Sequence, residues 1–164
     1  MINDNLVAAA KAVAEYRKTT KFSKVAGIHL EGPFIAAKHK GAQPLEYIAV
    51  PDVKTFEEYN EASGNCIKVV TLAPEVEGAM ELVSYLKDNE IVASIGHSDS
   101  SYAKVDEAIS NGASNVTHTY NAQTALHHRE IGVVGSALLR DELNCELIAD
   151  TIHVSVPAIR LLVK

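Results

Sequence analysis

Residues 91–99 read Ile-Val-Ala-Ser-Ile-Gly-His-Ser-Asp, a short apolar run that ends in a glycine and then in polar side chains. A run of this length, bounded by turn residues, is typical of a buried strand. The same order appears at residues 67–75, Ile-Lys-Val-Val-Thr-Leu-Ala-Pro-Glu, and the stretch from Val76 to Leu86 between them has apolar residues at helical spacing. Two strands joined by a helix predict a parallel pair, because parallel strands need a crossover connection.

This alternation continues along the chain and predicts an α/β fold with about five parallel strands. Asn3 and Asp4 are capping candidates for the first helix, and Asp99 and Ser100 for the fourth. The strands read as apolar on both faces, as in a sheet covered by helices. The predicted helices are 3–18, 53–62, 76–86, 101–110, 132–140 and one opened by Ser155 and Pro157, and the predicted strands are 25–30, 67–72, 91–95, 115–119 and 146–149.

Polar residues follow five successive predicted strands, and their positions favour a barrel over a doubly wound sheet. Both parallel architectures place their chemistry at the carboxyl ends of strands, but such a succession is typical of a barrel. We therefore predict a single domain over residues 1–164, forming part of a (β/α)8 TIM barrel. The residues concerned are Glu31, Glu75, His97, His118 and Asp150.

The composition excludes several classes of protein. The chain has 164 residues, 47% of them hydrophobic, and a formal net charge of −6, which argues against binding to nucleic acid or to an anionic membrane surface. No apolar run is long enough to span a membrane, and the N-terminus does not resemble a secretory signal. Cys66 and Cys145 each open an apolar strand, as buried reduced thiols do. We therefore expect a cytoplasmic protein without a disulfide.

Glu31, His97 and His118 are the strongest candidates for chemistry. Each lies at or just past the end of a predicted apolar strand, and two imidazoles with one carboxylate form the ligand set of a catalytic zinc-type site with an open position. A lone histidine at a strand end is more often structural, but three equivalent positions favour a metal site. Zn, Fe, Mn and Co all accept this ligand set.

Other polar residues allow more than one interpretation. His29 shares a strand face with Glu31 and either supports the metal site, ligates the same ion or is structural; we favour a supporting or structural role. Glu75 is a buried anchor, a site residue or a carboxylate at a helix start, and the helix-start role is preferred. The remaining histidines, which lie in predicted exposed loops, are His39, His127 and His128.

Five segments spread along the chain form a recognisable set of motifs. They are Gly27-Ile28-His29-Leu30-Glu31-Gly32-Pro33-Phe34, Thr71-Leu72-Ala73-Pro74-Glu75, Gly96-His97-Ser98, Thr117-His118-Thr119-Tyr120-Asn121-Ala122 and Ile148-Ala149-Asp150-Thr151-Ile152-His153-Val154. Together these segments resemble the N-acetylglucosamine-6-phosphate deacetylase family of the amidohydrolase superfamily. The resemblance covers essentially the whole chain, with the motifs in the family's order and at closely matching spacing.

The resemblance implies a (β/α)8-barrel enzyme that hydrolyses N-acetylglucosamine 6-phosphate to glucosamine 6-phosphate and acetate. It implies one divalent metal, zinc by preference, bound by Glu31, His97 and His118. A metal suits amide hydrolysis, because it both polarises a carbonyl and lowers the pKa of water.

The resemblance also implies a set of substrate-binding positions. The turn at Asn121 and Ala122 would receive the phosphate, and Arg129 would reach the phosphate in the neighbouring subunit of a homodimer. His153 would hold the substrate near the scissile amide. The substrate-binding positions are Ala42, Asn121, Ala122, Arg129, Asp150, Thr151, Ile152 and His153.

The chain departs from the family pattern in three places: Gln43 stands where many members have histidine, Gln123 where methionine is usual, and Thr151 where glycine is common. The match corresponds to barrel strands three to seven. The flanking β-domain, the other strands and the family's catalytic aspartate, expected beyond Lys164, have no counterpart in the sequence. We therefore expect no catalytic residue within it and little activity from this chain alone.

Two alternatives stay open. One is a non-catalytic partial barrel that retains metal or sugar-phosphate binding. The other is a metal-dependent aldolase or epimerase barrel acting on another sugar phosphate, which would share the strand-end ligands but has no reason to match the Asn121, Ala122 and Arg129 spacing.

Overall fold

The computed structural model describes residues 3–163 and contains one sheet of five parallel strands alternating with helices. The strands are β1 (Ile28–Glu31), β2 (Ile67–Leu72), β3 (Val92–Ile95), β4 (Asn115–Val116) and β5 (Asn144–Cys145). The α-helices are α1 (Asp4–Thr19), α2 (Val53–Ala62), α3 (Ala79–Asp88), α4 (Tyr102–Asn111), α5 (Gly132–Leu139) and α6 (Val156–Leu162). Two short 3-10 helices, Ala37–His39 and Leu45–Tyr47, lie in the loop between β1 and α2.

The strands neighbour one another in chain order, β1-β2-β3-β4-β5. A doubly wound sheet reverses its strand order at a switch point, whereas successive strands of a (β/α)8 barrel stay adjacent. The pairing register runs from Glu31 opposite Thr71 to Leu72 opposite Ile95, so the carboxyl ends of the strands lie along one edge. The sheet therefore has the arrangement of an arc of such a barrel, as predicted.

The two faces of the sheet differ in character. One face is apolar and packs against the helices, through residues such as Val70, Ile95 and Val116 together with Leu82 and Val105. This is the main hydrophobic core, and its burial is the largest favourable contribution to folding. The prediction that both faces would be apolar is wrong, because the opposite face carries hydroxyl, amide, imidazole and carboxylate groups.

The polar face is organised by a row of hydrogen bonds that crosses the strands. His29 Nε2 lies 2.7 Å from Thr71 Oγ1, which lies 2.7 Å from Thr117 Oγ1. Thr117 Oγ1 lies 2.6 Å from Ser94 Oγ, and Asn115 Nδ2 donates to Ser94 Oγ at 2.9 Å. A Cβ at Gly96 would stand 2.8 Å from Thr71 and 2.9 Å from Thr117, so glycine is required where the two threonines meet.

Some predicted element ends are wrong, and local geometry explains two of them. Helix α3 begins at Ala79 rather than near 76, because Gly78 precedes it with φ +81°, a left-handed conformation that interrupts the helix. Helix α4 is capped by Ser101, whose side chain accepts from the Lys104 amide, and not by Asp99 or Ser100. The Asn3 cap of α1 is confirmed.

Three strands also differ from the prediction. Strand β1 begins at Ile28 rather than at 25. Strand β4 has only two residues, because the chain turns away after Val116. The predicted strand 146–149 is wrong: β5 is Asn144–Cys145, opposite Asn115–Val116, and residues 146–149 continue as a loop past the end of β4.

Within residues 3–163 there is no helix that combines the length and the apolar character needed to cross a membrane. Cys66 is buried and Cys145 is half-buried, and both are free thiols.

Candidate metal and sugar-phosphate site

Three strands bring Glu31, His97 and His118 together. Glu31 is the last residue of β1, while each histidine stands two residues after the end of its strand, β3 or β4. Glu31 Oε1 lies 2.8 Å from His97 Nε2 and 3.1 Å from His118 Nε2, and the two Nε2 atoms are 3.1 Å apart. Residues far apart in sequence thus present three potential ligand atoms around one point. The side chains of Glu31, His97 and His118 are called the metal group below.

The spacing of these atoms fits a small divalent cation. Ligands bound about 2.0–2.1 Å from a tetrahedral ion lie about 3.3–3.4 Å apart, close to the three observed separations. Two nitrogen atoms face each other at 3.1 Å, although at most one proton can lie between them. The Nδ1 atom of His118 is buried and has no hydrogen-bond partner among the described residues. The three side chains therefore suit a shared cation.

The tautomer of His97 supports the same interpretation. His97 is buried, and its Nδ1 lies 2.7 Å from the backbone carbonyl oxygen of His39. A carbonyl only accepts, so Nδ1 carries a hydrogen, and Nε2 is the ring atom that can ligate a metal ion. Such a second partner fixes the ring of a metal-ligating histidine.

Both histidines have backbone conformations that are unusual for residues other than glycine. The φ angle is +49° at His97 and +30° at His118. Left-handed conformations cost L-residues roughly 1–2 kcal/mol, so surrounding contacts must hold them in place.

Hydrogen bonds among Glu31, His97 and His118 also affect the protonation of Glu31 and His118. Hydrogen bonds with His118 and then with His97 hold the pKa of the Glu31 carboxyl well below its usual range. The bond with Glu31 raises the pKa of His118, although its partial burial acts in the opposite direction. The carboxylate is therefore ionised at neutral pH, as a metal ligand must be.

The loop after β1 covers one side of this group. A Cβ at Gly41 would lie 3.3 Å from Cε1 of His97, so the loop passes close to this ring at Gly41, and Ala42, the next residue, is exposed. Gln43 Nε2 donates to the Glu31 carbonyl at 3.0 Å. Gln43 thus fastens the loop to the end of β1.

The turn after β4 has positive φ at every second residue: +30° at His118, +81° at Tyr120 and +50° at Ala122. In proteins, backbone that alternates between left-handed and right-handed conformations can form an anion-binding nest. Asn121 donates its amide to the His118 carbonyl at 3.0 Å and lies in this turn with Ala122. Because the turn contains no glycine, the sequence carried no sign of this geometry.

Arg129 lies in the exposed loop between that turn and α5. One of its guanidinium nitrogens lies 2.8 Å from His128 Nε2, and its amide donates to His127 Nδ1 at 3.3 Å. Within the described residues, Arg129 makes polar contacts with His127 and His128 only. In this single chain the structure therefore does not bring Arg129 to the metal group.

The segment Asp150–His153 is organised by one carboxylate. Asp150 Oδ1 accepts from the amides of Ile152 at 2.9 Å and His153 at 2.8 Å, and Oδ2 lies 2.6 Å from His153 Nδ1. The side-chain bond with His153 is the main reason that the pKa of Asp150 falls from 3.8 to about 2. Thr151, at φ +65°, and Ile152 are exposed. Asp150 therefore orients His153, and Nε2 of the imidazole has no hydrogen-bond partner among residues 3–163.

Two further residues lie outside the metal group. His29 takes part in the hydroxyl row, in line with a supporting or structural role. Glu75 does not serve the start of α3, which corrects the preferred role: its carboxylate accepts from Ser98, Asp99 and Ser100 in the loop that carries His97. This role is closest to the alternative of a buried anchor, although Glu75 is half-buried. Its partners were not predicted, and the Ser98 and Ser100 hydroxyls on either side of Asp99 were the available signal.

The fold and site define a class of protein, a segment of a (β/α)8 barrel with a candidate metal site at its carboxyl edge. A relative from Bacillus subtilis (strain 168) named N-acetylglucosamine-6-phosphate deacetylase is 46% identical over 152 residues, 93% of this chain and 38% of the relative. An Escherichia coli O157:H7 relative named N-acetylgalactosamine-6-phosphate deacetylase is 37% identical over 139 residues, 85% of this chain and 37% of the relative. The chain belongs to the N-acetylglucosamine-6-phosphate deacetylase family.

Solved structures agree with this assignment. The N-acetyl-D-glucosamine-6-phosphate deacetylase of Mycobacterium smegmatis matches with a TM-score of 0.89 at 29% identity, over 98% of this chain and 41% of that chain. A mutant of that enzyme has been solved in complex with N-acetyl-D-glucosamine-6-phosphate. The chain thus spans about two fifths of the length of these proteins. No family model matches it.

Proposed function

We propose that this chain supplies the metal-binding and sugar-phosphate-binding part of an enzyme that deacetylates N-acetylglucosamine 6-phosphate. The observation that carries the proposal is the convergence of Glu31, His97 and His118 from three strand ends, in a chain 46% identical to a protein named for that activity. Residues 1–164 would form one segment of the catalytic barrel. The flanking β-domain and the other barrel strands would belong to the rest of the full-length protein.

The metal ligands in this proposal are Glu31, His97 and His118, and zinc is the expected ion, with iron, manganese or cobalt as alternatives. When bound, a divalent ion supplies the Lewis acidity that polarises an amide carbonyl and lowers the pKa of water. The chain's own contribution is to hold the ligand atoms about 3 Å apart, and to keep Nε2 of His97 turned inward through the His39 carbonyl.

The phosphate would bind at the turn after β4, where the backbone conformation alternates. The Ala122 amide would donate to the phosphate, and the Asn121 amide would do so by giving up its bond with the His118 carbonyl. Arg129 would add a planar guanidinium, whose geometry matches phosphate oxygens. In a homodimer this arginine would serve the neighbouring subunit's site. Local contacts of this kind suit an anionic ligand on a protein whose net charge is −6.

The sugar and its acetamide would lie between the loop after β1, which carries Ala42, and the Asp150–His153 segment. Ala42 would contact the sugar through its backbone. His153 would hold the substrate near the scissile bond, with its ring oriented by Asp150 and with Thr151 and Ile152 shaping the loop. Hydrolysis adds water to the amide carbonyl, breaks the C–N bond and gives the nitrogen a proton. The family resemblance assigns that proton transfer to an aspartate outside these 164 residues. Asp150 does not replace it in this proposal, because both of its carboxylate oxygens are engaged with its own loop.

We also infer a cytoplasmic location, supported by the two free cysteines, since reduced thiols are the normal state in that compartment.

The test is acetate release from N-acetylglucosamine 6-phosphate with zinc supplied, comparing the 164-residue chain with a chain extended to the length of its relatives. We expect turnover from the extended chain and turnover near background from the shorter one, because general acid–base catalysis contributes about 10²–10⁴-fold. N-acetylgalactosamine 6-phosphate is the matched competitor, and we expect it to react more slowly. No acetate from either sugar phosphate would overturn the proposal.

The alternative is a non-catalytic module that retains metal or sugar-phosphate binding. The candidate metal ligands and the turn proposed for phosphate both lie within a chain that spans about two fifths of its relatives' length, and this observation favours the alternative. Calorimetric binding of the sugar phosphate without turnover by the extended chain would support this alternative.

A further inference from the structure

Glu75 lies three residues after the end of β2, beyond the edge of the sheet where the strands leading to Glu31, His97 and His118 end. The strands on either side of β2, β1 and β3, each lead to a side chain of the metal group. The Glu75 carboxylate instead forms hydrogen bonds with residues 98–100. Its Oε2 accepts from Ser98 Oγ at 2.8 Å and from Ser100 Oγ at 2.7 Å, and its Oε1 accepts from the Asp99 amide. Ser98 and Ser100 are both buried.

The segment that Glu75 holds begins directly after His97. His97 has φ +49°, and a left-handed residue other than glycine needs a fixed chain on both sides. On the preceding side the Gly96 amide donates to the Leu72 carbonyl in the sheet. On the following side the first side-chain anchor is the Glu75 carboxylate. Charge-assisted hydrogen bonds are about twice as strong as neutral ones, so this anchor suits a strained segment.

The same segment is bonded to the turn proposed for phosphate. The Ser98 amide donates to the Ala122 carbonyl at 3.2 Å, and the Thr124 amide donates to the Ser98 carbonyl at 3.1 Å. Thr124 Oγ1 donates to the Ser100 carbonyl at 2.7 Å. Glu75 thus holds the segment that is joined to His97 at one end and paired with residues 122–124 along its side.

We propose that Glu75 is a positioning residue that couples the metal-binding and phosphate-binding halves of the site through Ser98–Ser100. This inference rests on the proposed function for its ligands, whereas its geometry stands independently. It predicts that one carboxylate outside the metal group controls two ligand affinities. A purely structural carboxylate would instead change stability throughout the molecule.

Three variants separate these roles. Glu75→Ala removes all acceptors. Glu75→Gln keeps one carbonyl oxygen for the Asp99 amide and offers an NH2 group to the serine oxygens, so it is the rescue variant. Glu77→Ala is the matched control, since Glu77 is an exposed glutamate in the same loop.

The first measurement is amide hydrogen exchange in the metal-free protein. In Glu75→Ala, exchange at the Ser98 and Thr124 amides should accelerate about 10-fold or more, while the Gly96 amide, bonded within the sheet, stays near its original rate. Glu75→Gln should restore most of the protection, and Glu77→Ala should match the parent. Unchanged loop exchange, or equal acceleration at Gly96, would overturn the inference.

The second measurement is binding of Zn²⁺ and of N-acetylglucosamine 6-phosphate to the full-length protein, with the visible spectrum of bound Co²⁺ as a report on ligand geometry. Glu75→Ala should weaken Zn²⁺ binding about 10–100-fold and change the Co²⁺ spectrum, as loss of an outer partner does. Binding of the sugar phosphate should weaken as well. If the parent binds neither ligand, the proposed function fails, and the exchange rates alone decide the role of Glu75.

Discussion

The metal group and the Asp150–His153 segment are both assigned to one site, yet they are built in opposite ways. Glu31, His97 and His118 meet through contacts between residues 21 to 87 positions apart in the chain. The contacts of Asp150 join residues only two or three positions apart, on an exposed loop. The first arrangement depends on the fold of the sheet. The second is a local motif, because its hydrogen bonds join residues of one short loop and do not depend on the position of that loop relative to the sheet.

The largest expected effect comes from breaking the long-range group. His118→Ala removes one of three ligand atoms, so metal affinity should fall by more than the about 10–100-fold typical of outer partners. Metal content after dialysis measures this effect. His153→Ala, which removes an imidazole from the local motif, is the control and should keep its metal. Equal occupancy in His118→Ala and the parent, both folded, would refute the assignment.

Substitution of Arg129 tests whether phosphate recognition depends on a side chain that belongs neither to the metal group nor to the Asp150–His153 segment. In the full-length protein, Arg129→Ala should weaken binding of N-acetylglucosamine 6-phosphate by about 1.5–3 kcal/mol, the range for hydrogen bonds to charged groups. Binding of unphosphorylated N-acetylglucosamine should hardly change. Calorimetry with both sugars distinguishes these cases, and Arg17→Ala removes a distant arginine as control. Equal losses for both sugars would assign Arg129 to structure.

Asp150→Asn tests the local motif. The substitution removes the charge that attracts three donors, so the Ile152 and His153 amides should exchange faster while the thermal midpoint changes little. Acid should have the same effect. The pKa of Asp150 is lowered to about 2, so its contribution is complete above 3.8 and is lost as the pH falls toward 2. Exchange that stays slow in the variant would show that other contacts hold the loop.

Thr151→Gly should have the smallest effect and should be stabilising. Thr151 has φ +65°, which costs an L-residue roughly 1–2 kcal/mol, while glycine loses about 0.5–1 kcal/mol more conformational entropy on folding. A net gain of about 0.5 kcal/mol is expected in urea unfolding. Glu90→Gly, at φ +58° outside the site, is the matched control. A destabilised Thr151→Gly would mean that the threonine side chain makes a compensating contact.

Elements with strong periodicity could be predicted from the sequence alone. Strand Ile67–Leu72 and helix Val53–Ala62 have the predicted bounds, because each has a clear apolar pattern and a clear stop signal. The predicted strand 146–149, Glu-Leu-Ile-Ala, does not form, since pairing depends on a neighbour and β4 ends at Val116. Propensity along the chain carries no information about where the neighbouring strand ends.

The metal-candidate residues could be predicted for the same reason as the strands, since each follows an apolar run. The contacts that hold them could not be predicted. The His39 carbonyl that bonds His97 is a backbone group, which no side-chain pattern reveals. The left-handed conformations of His118 and Ala122 occur without glycine, so the turn proposed for phosphate has no compositional signature. Glu75 faces the serines only because β2 and β3 are neighbours.

The hydroxyl row on the polar face has a direction as well as a sequence of contacts. Asn115 Nδ2 also donates to the Glu146 carboxylate, which fixes the amide as a donor toward Ser94. If Ser94 then donates to Thr117, and Thr117 to Thr71, every hydroxyl hydrogen is used, and Thr71 must donate to His29 Nε2. The reverse order would leave the Ser94 hydrogen without an acceptor in the row. In this arrangement Asn115 on β4, held by the Glu146 carboxylate, leads to the tautomer of His29 on β1 that carries its hydrogen on Nδ1, with no heavy atom displaced.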